Sequence, residues 1–183
     1  MNWQEIWIKK GNQETTDLRL LNGYENTSID EKSVADRITN TLGIEKETKV
    51  LEIGCGAGML AQHLVCDYVG VDYSPSLVEK HVQILNNKVL VAQAHDLPFD
   101  DNSFDFVFAY SVFHYFKDQE YAKSAIEEMT RVSKSGLFVG DIPFDSHREE
   151  HLLYDKKDFS DWEIEPGYYN PVRFNAWKKW ETK

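Results

Sequence analysis

The chain has 183 residues, 42% of them hydrophobic and 13% aromatic, enough for one packed domain and too apolar for a disordered polymer. Its formal net charge of −11 gives no long-range pull on phosphate backbones, which argues against DNA or RNA as a partner. No apolar run approaches the roughly 20 residues of a membrane span, the first residues lack a basic and apolar signal segment, and two cysteines make no disulfide framework, so a cytoplasmic chain with free thiols is expected.

Trp3, Ile6 and Trp7 recur at helical spacing and predict a short amphipathic helix over residues 2–10; residues 11–27 are polar and turn-rich. Ser28 and Glu31 match a capping box, after which Val34, Ile38 and Leu42 recur every four residues until Gly43 closes the helix. A strand over 49–53, a helix over about 58–65 and a strand over 68–71 follow. Ser74 as cap and Pro75 behind it start the next helix, and Asn86-Asn87 turns the chain into a strand over 88–92. Asn102-Ser103 precedes a strand over 104–109. A helix over about 118–133 presents Ala122, Ile126 and Met129 on one face, and Ser135-Gly136 leads to a fifth strand, Leu137–Gly140. A short polar helical segment over about 146–155 then gives way to two strands, Phe159–Glu165 and Val172–Trp180, with Pro166-Gly167 and Asn170-Pro171 between them. Strand–helix alternation implies a parallel sheet with helices on both faces.

The run Val50-Leu51-Glu52-Ile53 breaks into Gly54-Cys55-Gly56-Ala57-Gly58. Glycines there let the chain turn sharply and let its backbone approach a ligand, and a helix behind them would aim its N-terminal amides at that ligand. Eighteen residues beyond Gly54, the run Val69-Gly70-Val71 ends in Asp72, where a carboxylate at a strand tip is placed to accept hydrogen bonds from a ribose diol. Loop and acid describe a nucleoside crevice. A dinucleotide fingerprint would need glycine where Met59 stands, which counts against a nicotinamide dehydrogenase, and a phosphate loop would need a Gly-Lys-Ser/Thr ending that is absent.

These residues resemble the first motif of the class I S-adenosylmethionine-dependent methyltransferases. The resemblance continues through Gly70-Val71-Asp72-Tyr73-Ser74, Ala94-His95-Asp96-Leu97-Pro98-Phe99 and Ser103-Phe104-Asp105-Phe106-Val107, in the family's order across residues 48–141. It implies an α/β, Rossmann-like, doubly wound sheet of seven strands, mostly parallel with an antiparallel last strand, and helices on both faces. It also implies a single domain over 1–183, with 1–27 as an N-terminal lid segment and 28–183 as the core, and S-adenosylmethionine as cofactor. By carry-over, Glu52, Gly54, Cys55 and Gly56 belong to the cofactor site, the loop lining the methionine part. Asp72 would hold the ribose hydroxyls and Tyr73 pack on the adenine. Gln93, Ala94 and His95 stand where the family often has Asp-Ala-Glu. Gln93 can still accept from the adenine amino group, with Asp96 as its substitute. Tyr110 would offer its backbone carbonyl to the cofactor's ammonium, and Trp7 would join from the lid.

Methyl transfer from a sulfonium is an in-line displacement that mainly requires an aligned nucleophile, with a base only where the acceptor must lose a proton. The candidates are His114, Asp141 and Tyr24, with Tyr115 and His147 near them. Each has a plainer reading: His114 as a packing residue, Asp141 as a cap. His147 and His151 have a metal-binding spacing, but Arg148 lies between them and no acidic cluster accompanies them, so no metal is expected. Arg173 either meets a phosphate or carboxylate or pairs with Glu163 or Glu165 at a sheet edge. Trp3, Trp7, Tyr24, Tyr110 and Tyr115 either form an aromatic cage for a methylated ammonium or fill the core. The expected activity is methylation of N or O on a small polar metabolite, in the manner of bacterial sugar or cell-surface pathways. The expected partner is that small acceptor, without nucleic acid or membrane, and a homodimer is left open. The rival reading is a non-catalytic cofactor-binding subunit that regulates or stabilises a partner.

Overall fold

The computed structural model describes residues 2–145 and 150–181. Strands β1 (Lys49–Ile53), β2 (Asp67–Asp72), β3 (Lys88–Val91), β4 (Phe104–Tyr110), β5 (Ser133–Pro143), β6 (Glu163–Pro166) and β7 (Arg173–Lys179) form one sheet in the order β3-β2-β1-β4-β5-β7-β6. β1 to β5 pair in parallel, and β7 is inserted antiparallel between β5 and β6. This is the Rossmann-like, mostly parallel seven-stranded sheet expected from the sequence. Its order reverses between β1 and β4, which opens a crevice at the carboxyl ends of those strands.

The helices are α1 (Trp3–Gly11), α2 (Leu18–Leu21), α3 (Glu31–Leu42), α4 (Pro75–Leu85) and α5 (Gln119–Val132). Side chains alternate across the strands. Val50, Phe108 and Phe138 pack with Val34, Ile38 and Leu42 of α3. Leu51, Val107 and Val139 pack with Ala122, Ala125 and Met129 of α5. The sheet is thus covered on both faces. α4 lies on the α3 side, with its His81 ring 5.9 Å from that of Tyr68. Ser74 caps α4 with Pro75 behind it, and Asn86 ends it in the left-handed region at φ 55°. Among the described residues no helix is long and apolar enough to cross a membrane.

Five expectations differ from the structure. The helix over 58–65 is absent. Gly58, at φ 98°, delays any helical start, and Leu64 is already extended, so only a 3-10 turn at Ala61–His63 fits before β2. The cap of α3 is Asp30, whose side chain accepts from the Ser33 amide, rather than Ser28. The polar stretch 11–27 contains the one-turn helix α2, capped by Asp17. Residues 150–155 are irregular, while 146–149 lie outside the described residues. Phe159 belongs to a 3-10 helix opened by a capping box at Asp155, so β6 begins only at Glu163.

Candidate active site

A cavity of about 800 Å³ opens at the carboxyl edge of the sheet. That is toward the upper end of the roughly 300–1,000 Å³ of small-molecule sites. Its floor is the glycine loop after β1, its roof includes Trp3, Trp7, Asn22 and Tyr24 from the N-terminal segment, and its far wall comes from the ends of β4, β5 and β7.

The glycine loop is held from several sides. Gly54 and Gly56 adopt φ 68° and 51°, a region that disfavours side chains. A Cβ on Gly56 would stand 2.1 Å from Asn22 Oδ1, and that same oxygen accepts from the Ala57 amide at 3.1 Å. Gly56 N–H donates to Asp72 Oδ2 at 2.9 Å, and Ser74 N–H donates to Oδ1 at 2.9 Å. The loop amides therefore meet Asp72 and Asn22 in place of the expected helix N-terminus. Behind the loop, His81 Nδ1 lies 3.1 Å from Gly56 O and its Nε2 lies 3.2 Å from Asn87 Nδ2. A carbonyl can only accept, so Nδ1 carries the proton and Nε2 accepts from the amide. Burial lowers this histidine to about 4, and it is neutral at physiological pH.

Two acids face the cavity from below. Glu52 is 4% exposed and accepts from the Tyr68 hydroxyl at 2.6 Å. Burial raises it to about 8, against the hydrogen bond from Tyr68, and the nearby Asp72 charge adds to the rise. Asp72 is also buried and is pushed up to about 6, with the amides of Ser74 and Gly56 holding it back. The Cys55 thiol is raised by burial and turns toward β2, so it is no nucleophile. Tyr73 anchors α1 by donating to the Trp3 carbonyl at 3.2 Å. Gln93 Oε1 accepts from the Tyr121 hydroxyl at 3.0 Å, and Gln93 and Ala94 line the cavity. His95 does not. The turn that bridges Gln93 to Asp96 points it outward onto the Tyr121 ring at 4.6 Å, so the expectation for His95 is corrected.

The far wall is a polar network. Asp141 sits where the β5–β7 register shifts, at φ 59°, and Ser111 follows β4 at φ 60°. Ser111 Oγ donates to Asp141 Oδ2 at 2.7 Å, the Tyr169 hydroxyl donates to the same oxygen at 3.1 Å, and Asp141 N–H donates to Asn175 Oδ1 at 2.9 Å. Burial raises Asp141, while the Arg173 charge and the two hydroxyls oppose the rise. Tyr24 is raised strongly by burial and by its neighbours Tyr169 and Asp141, with Ser111 at its hydroxyl. Arg173 is buried beside Asp141 and His151 and does not pair with Glu163 or Glu165. His114 is 3% exposed, with its ring 4.7 Å from that of His151. Trp3 and Trp7 pack edge-on against Tyr115 at 4.7 and 5.2 Å, whereas Tyr24 and Tyr110 belong to the α3-side core. The aromatics thus form two groups and no single cage. Among the described residues no group of three or more His, Cys, Asp or Glu could hold a metal, and His147 lies outside them.

Residues 51–139 match the family model described as a methyltransferase domain. Over these residues, just under half of the chain, the sequence is that of a methyltransferase domain, and the fold is the one shared by S-adenosylmethionine-dependent methyltransferases of known structure. The chain is 33% identical over 108 residues to a tRNA (carboxymethyluridine(34)-5-O)-methyltransferase of Arabidopsis thaliana, covering 58% of this chain and 26% of that protein. It is 28% identical over 169 residues to malonyl-(acyl-carrier protein) O-methyltransferase 1 of Coxiella burnetii, covering 81% of this chain and 57% of the relative. The chain therefore spans less than two thirds of the length of these relatives. The structure of magnesium protoporphyrin IX methyltransferase from Synechocystis PCC 6803 with bound SAH shares the fold at TM-score 0.68 and 14% identity, over 97% of this chain and 95% of that one.

This methyltransferase cavity fits the family's cofactor by the chemistry of its lining. Gly54 and Gly56 bring the loop backbone to the cavity wall, Asp72 can accept from hydroxyl groups, and Glu52, which burial keeps protonated at neutral pH, offers a carboxyl group beside it. Asn22, Ser111 and Tyr169 also line the cavity, and Tyr68 and His81 hold Glu52 and Gly56 from behind it; sequence reading singles out none of them for the site. Only His81, one polar residue on the apolar side of α4, leaves a signal in the pattern.

Proposed function

We propose that this chain transfers a methyl group from S-adenosylmethionine to a nitrogen or oxygen atom of a small polar metabolite. The observation that carries the reading is the continuity of one cavity from the glycine loop and Asp72 to the wall of Asp141, His114 and Tyr24. Bound S-adenosylmethionine supplies a methyl on a sulfonium, which leaves as a neutral thioether. The chain's own residues do the rest. Asp72 accepts the ribose hydroxyls, Glu52 and the Tyr110 carbonyl face the methionine end, and Gln93 and Ala94 meet the adenine. Asp141, held by Ser111 and Tyr169, orients the acceptor's N–H or O–H and can take its proton, because burial raises its affinity for one. Tyr24, whose hydroxyl burial keeps protonated, serves as a donor. His114 lies within the same wall. Residues 1–27 act as a lid that excludes water through Trp3 and Trp7.

The relatives methylate acceptors as different as a tRNA and a malonyl carrier by name. The net charge of −11 favours a small metabolite over RNA here, and a sugar or cell-surface precursor meets that description. Calorimetry with S-adenosylmethionine, SAH and NAD tests the cofactor half. Turnover of labelled cofactor against small amines, phosphorylated amines and sugar nucleotides tests the acceptor half. Tight NAD binding, or no SAH binding, would overturn the reading.

A further inference from the structure

Among the described residues, two buried donors in the far wall have no hydrogen-bond partner. Arg173 is 6% exposed, yet its Nε–H makes no hydrogen bond. Its nearest carboxylate oxygen, Asp141 Oδ1, stands 3.9 Å from Nε, beyond hydrogen-bond length. The other guanidinium contacts are long: Nη1 to the Asp141 carbonyl at 3.5 Å and Nη2 to His151 Nδ1 at 3.3 Å. Tyr110 is 5% exposed and its hydroxyl is unpartnered as well. Both residues line the cavity, and both feel the Asp141 carboxylate electrostatically. That carboxylate is already engaged, its Oδ2 accepting from Ser111 and Tyr169.

Buried donors are almost always satisfied, and a buried charge needs a close counter-charge. Here the guanidinium has only a loose pairing, and Tyr110, whose buried hydroxyl is spare, is among the residues that line the same cavity. Water could satisfy the hydroxyl, but it does not neutralise the guanidinium. An anionic oxygen group does both, because a guanidinium fork and a hydroxyl are matched donors for carboxylate or phosphate oxygens.

We propose that the acceptor carries an anionic group, carboxylate or phosphate, in addition to its nucleophilic atom, and that Arg173 and Tyr110 bind that group. The inference rests on the methyl-transfer reading above. It narrows the acceptor to an amine or alcohol that is also an acid or a phosphate ester. The anion serves as an anchor and the methyl goes to a separate atom, since an oxygen pinned by a guanidinium is a poor nucleophile.

The test uses the full chain saturated with SAH, titrated separately with sodium phosphate and sodium acetate at constant ionic strength, and followed by calorimetry and thermal shift. Saturable binding of at least one anion in the millimolar range is expected, and the preferred anion identifies the acceptor's group. Tyr110→Phe removes a hydroxyl that has no partner in the fold and leaves the backbone carbonyl in place. It should keep its melting temperature and SAH affinity while weakening the anion about tenfold, the worth of one hydrogen bond to a charge. Arg173→Lys should weaken the anion further. Absence of saturable anion binding in the SAH-loaded wild type overturns the proposal, as does unchanged anion affinity in Tyr110→Phe. A parallel loss of SAH affinity in Tyr110→Phe also overturns it, because the donors would then serve the carboxylate of SAH itself. Failure of the wild type to bind SAH is a different result, which removes the methyl-transfer reading and this proposal with it.

Discussion

Glu52→Gln separates the two protonation states of the most deeply buried acid of the glycine-loop half. Glu52 is 4% exposed, and burial raises it from the ordinary 4.5 to about 8. The native chain therefore holds a proton at pH 4.5–8 that the unfolded chain has released. A raised folded value means that the stability is fully present below 4.5 and is lost as pH rises through 8. The loss runs at about 1.4 kcal/mol per pH unit and totals on the order of 5 kcal/mol. Gln keeps the shape and still accepts from the Tyr68 hydroxyl, which lies 2.6 Å from the carboxylate, but it has no proton to lose. The stability difference between variant and parent should grow by about 1.5 kcal/mol from pH 6.5 to pH 8. Asp72, at about 6, and His81, at about 4, titrate below the window from pH 6.5 to pH 8 and are common to both proteins. Urea unfolding at the two pH values measures the difference directly. In thermal melts the same growth is about 3–6 °C for a chain of this size. A difference that stays constant across the window would mean that Glu52 is ionised throughout, and the account of its burial would be wrong.

Asp72→Asn should weaken SAH at least tenfold, because charge-assisted hydrogen bonds of about 1.5–3 kcal/mol each are lost; unchanged affinity in calorimetry would remove Asp72 from the site. Gly56→Val should abolish SAH binding, since φ is 51° and the new Cβ would stand 2.1 Å from Asn22 Oδ1; normal binding would mean the loop has been misread. His114→Ala and Asp141→Asn should lower turnover by roughly 10²–10⁴ where either group moves a proton, with SAH affinity kept. Full turnover in both would show that catalysis is alignment without a base.

The sheet was legible because its strands are apolar runs bounded by glycine, asparagine and proline, and because strand–helix alternation leaves few topologies. The errors are local. The sequence pattern predicts a helix over 58–65, but Gly58 at φ 98° and an early extended Leu64 leave room only for a 3-10 turn. His95 was assigned from its place in a motif, yet a tight turn at Gln93–Asp96 reverses its direction. Arg173 stands beyond the paired end of β6, with its carbonyl accepting from Gly167 N–H at 2.9 Å. That register carries it away from Glu163 and Glu165 and toward Asp141, and no local pattern reports it. Asn22, Ser111 and Tyr169 meet the site only through the fold, from positions where polar residues in loops are ordinary.

The two halves of the cavity solve different problems at the same edge of the sheet. At β1 the chain must turn and also admit a ligand to its backbone, and glycines at Gly54 and Gly56 take the positive-φ conformations without strain. Just past β4, and at the register shift inside β5, the chain must bend while presenting a side chain, so Ser111 and Asp141 occupy the left-handed region themselves, at φ 60° and 59°. Such conformations cost on the order of 1–3 kcal/mol each and persist only where the surroundings over-determine them. Here Ser111 N–H donates to Gly140 O at 3.0 Å, Ser111 Oγ to Asp141 Oδ2 at 2.7 Å, and Asp141 N–H to Asn175 Oδ1 at 2.9 Å. The two strained residues hold each other, and the register shift between β5 and β7 aims the carboxylate into the cavity. The strain falls on two hydrogen-bonded side chains, one just past β4 and one inside β5, that line the same cavity. Among the described residues the other non-glycine residues with positive φ are Asn86, the C-cap of α4, and Asn102, in a turn, where asparagine tolerates that conformation.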